Sequence, residues 1–189
     1  MKKIELQLAM DGAATRTLDQ AMEIIDRVAP YLDIIEIGTS FVLRYGMEPV
    51  SRVKAAHPDK KILADMKVMD GGYHNCGLGC KAGGDIVTVL GVSDHGTIQN
   101  ATKAAHDYGK QIMVDLICVK DVAETIAFCE EIGTDYICVH TGVDMQAQGK
   151  DPLDALKEAL ALVKNCKVSV AGGINEDTIE AVSYTHLRA

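Results

Sequence analysis

Seven short runs rich in valine and isoleucine recur along the chain, and a longer stretch of helical pattern follows most of them. The runs are Ile4–Met10, Asp33–Gly38, Lys61–Met66, Asp85–Gly91, Gln111–Ile117, Asp135–His140 and Lys167–Ala171. Their starts lie 29, 28, 24, 26, 24 and 32 residues apart. Runs this short are the length of strands, and their near-continuous apolar character is that of parallel strands covered on both faces. A strand, a crossover helix and the next parallel strand together take about 30 residues. The spacing therefore predicts a parallel α/β sheet with right-handed crossovers. Helices are expected over Leu18–Ala29, Thr97–Tyr108, Asp121–Ile132, Pro152–Val163 and Glu176–Val182, with Gly109 and Gly133 standing where helix stops belong.

The even period and the lack of a long reversal connection favour a (β/α)8 TIM barrel over an open doubly wound sheet. The Gly-x-Gly-x-x-Gly turn of a dinucleotide fold is missing after the first run. An eight-stranded barrel takes at least about 200 residues, and this chain has 189. The expected fold is a barrel truncated after its seventh strand: one domain over residues 1–182, with residues 183–189, which show no apolar face, as a non-native tail.

Composition narrows the function classes. A net charge of −8 disfavours non-specific nucleic-acid binding, and the absence of tryptophan leaves few rings for stacking bases. No apolar run is long enough to span a membrane, and the N-terminus lacks the apolar block of a signal peptide. A cytoplasmic protein acting on small molecules is expected, with its six cysteines as reduced, largely structural thiols.

In barrel enzymes the reacting groups sit at the C-terminal ends of strands. The polar residues there are Asp11, Glu36, Asp65, Lys67, Asp70, Asp115 and His140. Taken singly, Asp11 and Asp115 read as caps or loop residues, and His140 as a hydrogen-bonded core histidine. Glu36, flanked by isoleucines, and the Asp65-x-Lys67-x-x-Asp70 cluster are harder to read that way, because buried charge is costly unless paired or metal-bound. Strand period two puts Asp65 and Lys67 on the same side of the sheet. Glu36 and Asp65 offer hard oxygen ligands for Mg2+, with Mn2+ an equal fit. Lys67 can stabilise an oxyanion, His140 can move a proton, and Gly172-Gly173 before a helix can cradle a phosphate. Such a set suits enediolate chemistry on a sugar phosphate.

The segments Leu6–Asp11, Ile35–Thr39, Leu63–Lys67 with Asp70, and Val139–Asp144 resemble the 3-hexulose-6-phosphate synthases, a family of the orotidine 5′-monophosphate decarboxylase superfamily of barrels. The resemblance implies a Mg2+-dependent aldehyde-lyase. Its reaction would join formaldehyde to D-ribulose 5-phosphate, giving D-arabino-hex-3-ulose 6-phosphate. It implies Glu36 and Asp65 at the metal, Lys67 beside the enediolate, His140 as the proton-transfer residue and Asp11 on substrate hydroxyls. It also implies a homodimer with shared active sites, in which Asp70 reaches into the partner's site. The nearest alternative is 3-keto-L-gulonate-6-phosphate decarboxylase, whose strand-six motif has an arginine where this chain has Val143. A non-catalytic sugar-phosphate-binding barrel and a ribulose-phosphate epimerase are the further alternatives. The family's second glycine loop, after strand eight, has no counterpart in this sequence.

Overall fold

A computed structural model describes residues 4–12, 15–142 and 152–187. Its seven strands form one parallel sheet in sequence order: β1 (Gln7–Met10), β2 (Ile34–Ile37), β3 (Lys61–Val68), β4 (Ile86–Leu90), β5 (Gln111–Asp115), β6 (Tyr136–His140) and β7 (Lys167–Ala171). Helices α1 (Leu18–Val28), α2 (Thr39–Tyr45), α3 (Glu48–Ala56), α4 (Gly72–Lys81), α5 (His95–Asp107), α6 (Val122–Ile132), α7 (Pro152–Leu162) and α8 (Ile179–Leu187) lie between and after them. This is the (β/α) succession of a TIM barrel carried through seven strands, as the spacing predicts. No helix among the described residues is long and apolar enough to cross a membrane.

Strand alternation sorts the core into two. Ile35, Ile37, Ile62, Ala64, Val87, Val89, Ile112, Val114, Ile137 and Val139 pack outward against the helices. Ile34, Leu63, Ile86, Met113, Tyr136 and Cys138 form a separate cluster on the inner face. Two residues further along the same strands, the inward positions become Glu36, Asp65, Thr88, Asp115 and His140. The polar residues are therefore one layer of the sheet's interior, stacked on an apolar floor.

Each even-numbered strand is started by the same device. Asp33, Asp85 and Asp135 stand just before β2, β4 and β6, and their carboxylates accept the N–H of Leu6, just before β1, and of Ile62 in β3 and Ile112 in β5, each at 3.0 Å. Their own carbonyls accept from the strand that follows, through Lys61, Gln111 and Lys167. The first strand is shorter than its apolar run, beginning at Gln7 rather than at Ile4. Past β7, the Asn175 side chain accepts the N–H of Asp177 and Thr178 in a turn, so the last helix starts at Ile179 rather than Glu176. That helix runs to Leu187, and Arg188 and Ala189 lie outside the described residues.

Helix α4 escapes the sequence pattern because it carries three glycines. Packing explains it: a Cβ on Gly79 would stand 2.6 Å from Met66 Sδ and 2.8 Å from Val87 Cγ1, and one on Gly72 would collide with the Thr97 carbonyl. The glycines let α4 press against both the sheet and α5. Gly109 and Gly133 end their helices at positive φ, 65° and 76°. All six cysteines are free, and all but Cys118 are buried.

Candidate active site

Strand β3 carries the centre of the site on an irregular stretch of backbone. Leu63 and Ala64 pair with Ile86 and Val87, but the next pair is Val68 with Val89. Asp65, Met66 and Lys67 thus stand opposite the single residue Thr88. The two extra residues preserve the alternation, so Met66 packs outward while Asp65 and Lys67 share the inner face. Lys67 adopts a left-handed backbone, φ 44°, which is unusual for a residue with a side chain.

The ammonium of Lys67 donates to Asp65 Oδ2 at 2.5 Å and lies 3.4 Å from Asp115 Oδ2. Both carboxylates are buried. Desolvation works against the charged lysine, but Asp65, Asp115 and Glu36 outweigh it and hold the group above its ordinary range. Lys67 is thus a cation throughout the physiological range. Each oxygen of Asp65 also accepts from a hydroxyl, Thr39 Oγ1 donating to Oδ2 at 2.6 Å and Thr88 Oγ1 to Oδ1 at 3.0 Å.

Asp115 links this cluster to β6. Its Oδ2 lies 2.8 Å from His140 Nδ1, and its Oδ1 accepts the Ile117 N–H at 2.9 Å. Burial alone would raise the Asp115 carboxyl, yet His140, Lys67 and the Ile117 amide together bring it below the usual carboxylate range. With Nδ1 fixed on a carboxylate, the free ring nitrogen of His140 is Nε2. Read alone, neither His140 nor Asp115 stands out in the sequence. Placed side by side, they form an oriented acid–base pair.

Glu36 completes the layer on β2. Gln7 donates to its Oε2 at 2.5 Å. Burial first, and the neighbouring Asp65 second, push its carboxyl up to about 7, against the pull of Gln7 and Lys67. Burial together with the neighbouring Asp65 charge thus works against an ionised Glu36, and two carboxylates on one inner face are a donor set that fits a hard divalent cation. No cluster of three or more His, Cys, Asp or Glu side chains suited to a metal occurs among the described residues. Mg2+ does not require one, since it commonly takes one or two carboxylates with waters and substrate oxygens.

Asp11, just past β1, accepts from Ser40 Oγ at 3.1 Å and packs so closely on Gly38 that a Cβ there would collide with its carboxylate. It is near enough to Glu36 to contribute to raising it. Asp70 stands apart: it is exposed beyond β3, its carboxylate accepting the Gly71 N–H at 2.6 Å. Gly172 and Gly173, both at positive φ, follow β7 next to His140, which pairs with Ala171. Val143 and Asp144 lie outside the described residues. Gln7, Thr39 and Thr88 are site residues that the sequence did not single out. For Thr88 a signal existed, a lone hydroxyl in Ile86-Val87-Thr88-Val89-Leu90 at the inward position.

Residues 5–186 match the orotidine 5′-phosphate decarboxylase / HUMPS family. The 3-hexulose-6-phosphate synthase of Bacillus subtilis (strain 168) is 42% identical over 179 residues, covering 95% of this chain and 84% of that protein. The crystal structure of 3-hexulose-6-phosphate synthase from Salmonella typhimurium superposes with a TM-score of 0.91 at 43% identity, over 96% of this chain and 85% of that one. The 3-keto-L-gulonate-6-phosphate decarboxylase of Vibrio cholerae O1 is also similar, with a TM-score of 0.83 at 27% identity, over 95% of this chain and 83% of that one.

Proposed function

Since the chain belongs to the orotidine 5′-phosphate decarboxylase / HUMPS family, we propose that it acts as a 3-hexulose-6-phosphate synthase, joining formaldehyde to D-ribulose 5-phosphate to give D-arabino-hex-3-ulose 6-phosphate. The observation that carries this reading is the Lys67–Asp115–His140 chain, which sets a half-buried cation beside an oriented proton carrier.

His140 Nε2 removes a proton from C1 of ribulose 5-phosphate, and the C–H electron pair becomes that of an enediolate. The Lys67 ammonium, already pinned between two carboxylates, faces the developing charge without having to reorganise. C1 then attacks the carbonyl carbon of formaldehyde. The carbon–carbon bond forms, the carbonyl π pair moves to oxygen, and that oxygen takes the proton back from His140. Asp115 holds the ring in one orientation for both transfers. Glu36 and Asp65 would hold Mg2+ or Mn2+, which when bound supplies Lewis-acid stabilisation of the sugar oxygens. Asp11 binds substrate hydroxyls, and the backbone amides of Gly172 and Gly173 receive the phosphate. Asp70, exposed and outside the cluster, acts in the site of a second copy within a homodimer. We place the enzyme in the cytoplasm, where its free cysteines stay reduced.

A second reading, decarboxylation of 3-keto-L-gulonate 6-phosphate, rests on the structural likeness to that enzyme at 27% identity. The two are separated by assaying formaldehyde loss with ribulose 5-phosphate and CO2 release from 3-keto-L-gulonate 6-phosphate in parallel. Formaldehyde consumption that EDTA stops and added Mg2+ restores is the expected result. CO2 release as the dominant activity would overturn it.

A further inference from the structure

We propose that Thr88 is a positioning residue for the reaction, its hydroxyl acting as the clamp that holds the β3 bulge in its working shape. Thr88 is the one β4 residue opposite Asp65, Met66 and Lys67. Its Oγ1 accepts the Lys67 N–H at 2.9 Å and donates to Asp65 Oδ1 at 3.0 Å. A parallel ladder offers main-chain carbonyls to main-chain amides. At the bulge the Lys67 amide is instead satisfied by a side chain, and the same hydroxyl passes its own proton to the carboxylate that Lys67 contacts. One buried oxygen therefore fixes both ends of the Asp65–Lys67 pair.

The need for a clamp follows from the backbone. Lys67 sits at φ 44°, a region where a side chain is strained, and such residues persist only where their surroundings over-determine them. Thr39 also holds Asp65, but from α2 and through the carboxylate. The hydroxyl cannot be replaced by a methyl group without leaving the Lys67 N–H unpaired. Thr88 acts through the placement of the ammonium and the carboxylate.

This inference rests on the synthase reading for its kinetic consequence, and it has a structural consequence that does not. Thr88→Val keeps the shape and removes the hydroxyl, whereas Thr88→Ser keeps the hydroxyl and removes the methyl. In the full chain Thr88→Val should lower kcat about 100-fold, the scale of loss for a misplacement near 1 Å, with KM for ribulose 5-phosphate nearly unchanged. Thr88→Ser should recover most of that loss. By NMR hydrogen exchange, the Lys67 amide should exchange at least about tenfold faster in Thr88→Val, once its buried bond is lost. The amides of Val87 and Val89 should keep their rates, which reports that the sheet is intact. Wild-type turnover and Lys67 exchange in Thr88→Val would overturn the proposal, as would a folded Thr88→Ser as impaired as Thr88→Val. If the wild-type chain itself does not consume formaldehyde, the synthase reading fails, and Lys67 exchange alone decides: acceleration in Thr88→Val supports the clamp and an unchanged rate refutes it.

Discussion

Residue types on the inner face of the sheet explain themselves once their strand positions are known. Glu36, Asp65, Asp115 and His140 each follow an inward apolar residue by two along the strand, so the sequence shows them as isolated charges within runs of isoleucine and valine. Glu36 and the β3 cluster could be singled out on that ground alone. Asp115 could not, because an aspartate closing a strand is most often a cap or a turn residue, and its partners lie 25 residues onward and 48 back. Only the fold, which brings the inner faces of β3, β5 and β6 together, reveals that it touches both Lys67 and His140. Asp115→Asn should therefore lower kcat about 100-fold, within the range expected when a general acid–base loses its orienting partner. KM should change little, because Asp115 meets the substrate only through other side chains. Steady-state kinetics of the folded variant checks this, and an unchanged kcat would remove Asp115 from the mechanism.

Elements are where the sequence pattern succeeds most and fails most informatively. All seven strands appear where apolar runs predict them, because a strand covered on both faces has no polar side to show. The sequence pattern does not predict helix α4 or the paired helices α2 and α3. The glycines of α4 weaken its propensity while permitting its close packing, so tertiary contact decides the outcome. The β3 bulge is invisible in sequence, since its two extra residues leave the alternation intact.

The junction between α7 and β7 also depends on a distant residue. Glu130, near the end of α6, accepts the N–H of Lys164, Asn165 and Cys166. Burial alone would raise its carboxyl, yet these amides and the Asn165 side chain bring it down to about 2 from an ordinary 4.5. A carboxyl depressed on folding stabilises fully above its unfolded value and loses that contribution as pH falls through the folded one. The wild type should thus melt above Glu130→Gln by a constant margin at neutral pH. The margin should shrink from about pH 4.5 and disappear near pH 2. Thermal melts of both proteins across that range check the sign, and a margin independent of pH would contradict it.

Across the whole molecule, the pattern of the chain specifies a barrel more firmly than it specifies a complete one. The strand order runs from β1 to β7 without a described pairing between those two edges. The described chain spans about 85% of the length of the Salmonella synthase it superposes on. The proposed catalytic layer is drawn from β2 to β6, which supply Glu36, Asp65, Lys67, Thr88, Asp115 and His140. The exposed position of Asp70 leads to a prediction at this scale. Lys67→Ala and Asp70→Ala should each be inactive alone. Mixed in equal amounts and allowed to exchange, they should regain about a quarter of the sites, as a two-fold dimer with sites shared between copies requires. Activity titrated against mixing ratio tests this, and no recovery would confine each site to one chain.

The claim that Lys67, Asp115 and His140 together generate an enediolate is open to a test that needs no formaldehyde. Ribulose 5-phosphate incubated with the protein and Mg2+ in D2O is followed by NMR for deuterium at C1. Incorporation of a single deuteron, stopped by EDTA and lost in both Lys67→Ala and His140→Gln, is the predicted result. Retention of the C1 protons while formaldehyde is still consumed, or exchange undiminished in His140→Gln, would contradict it.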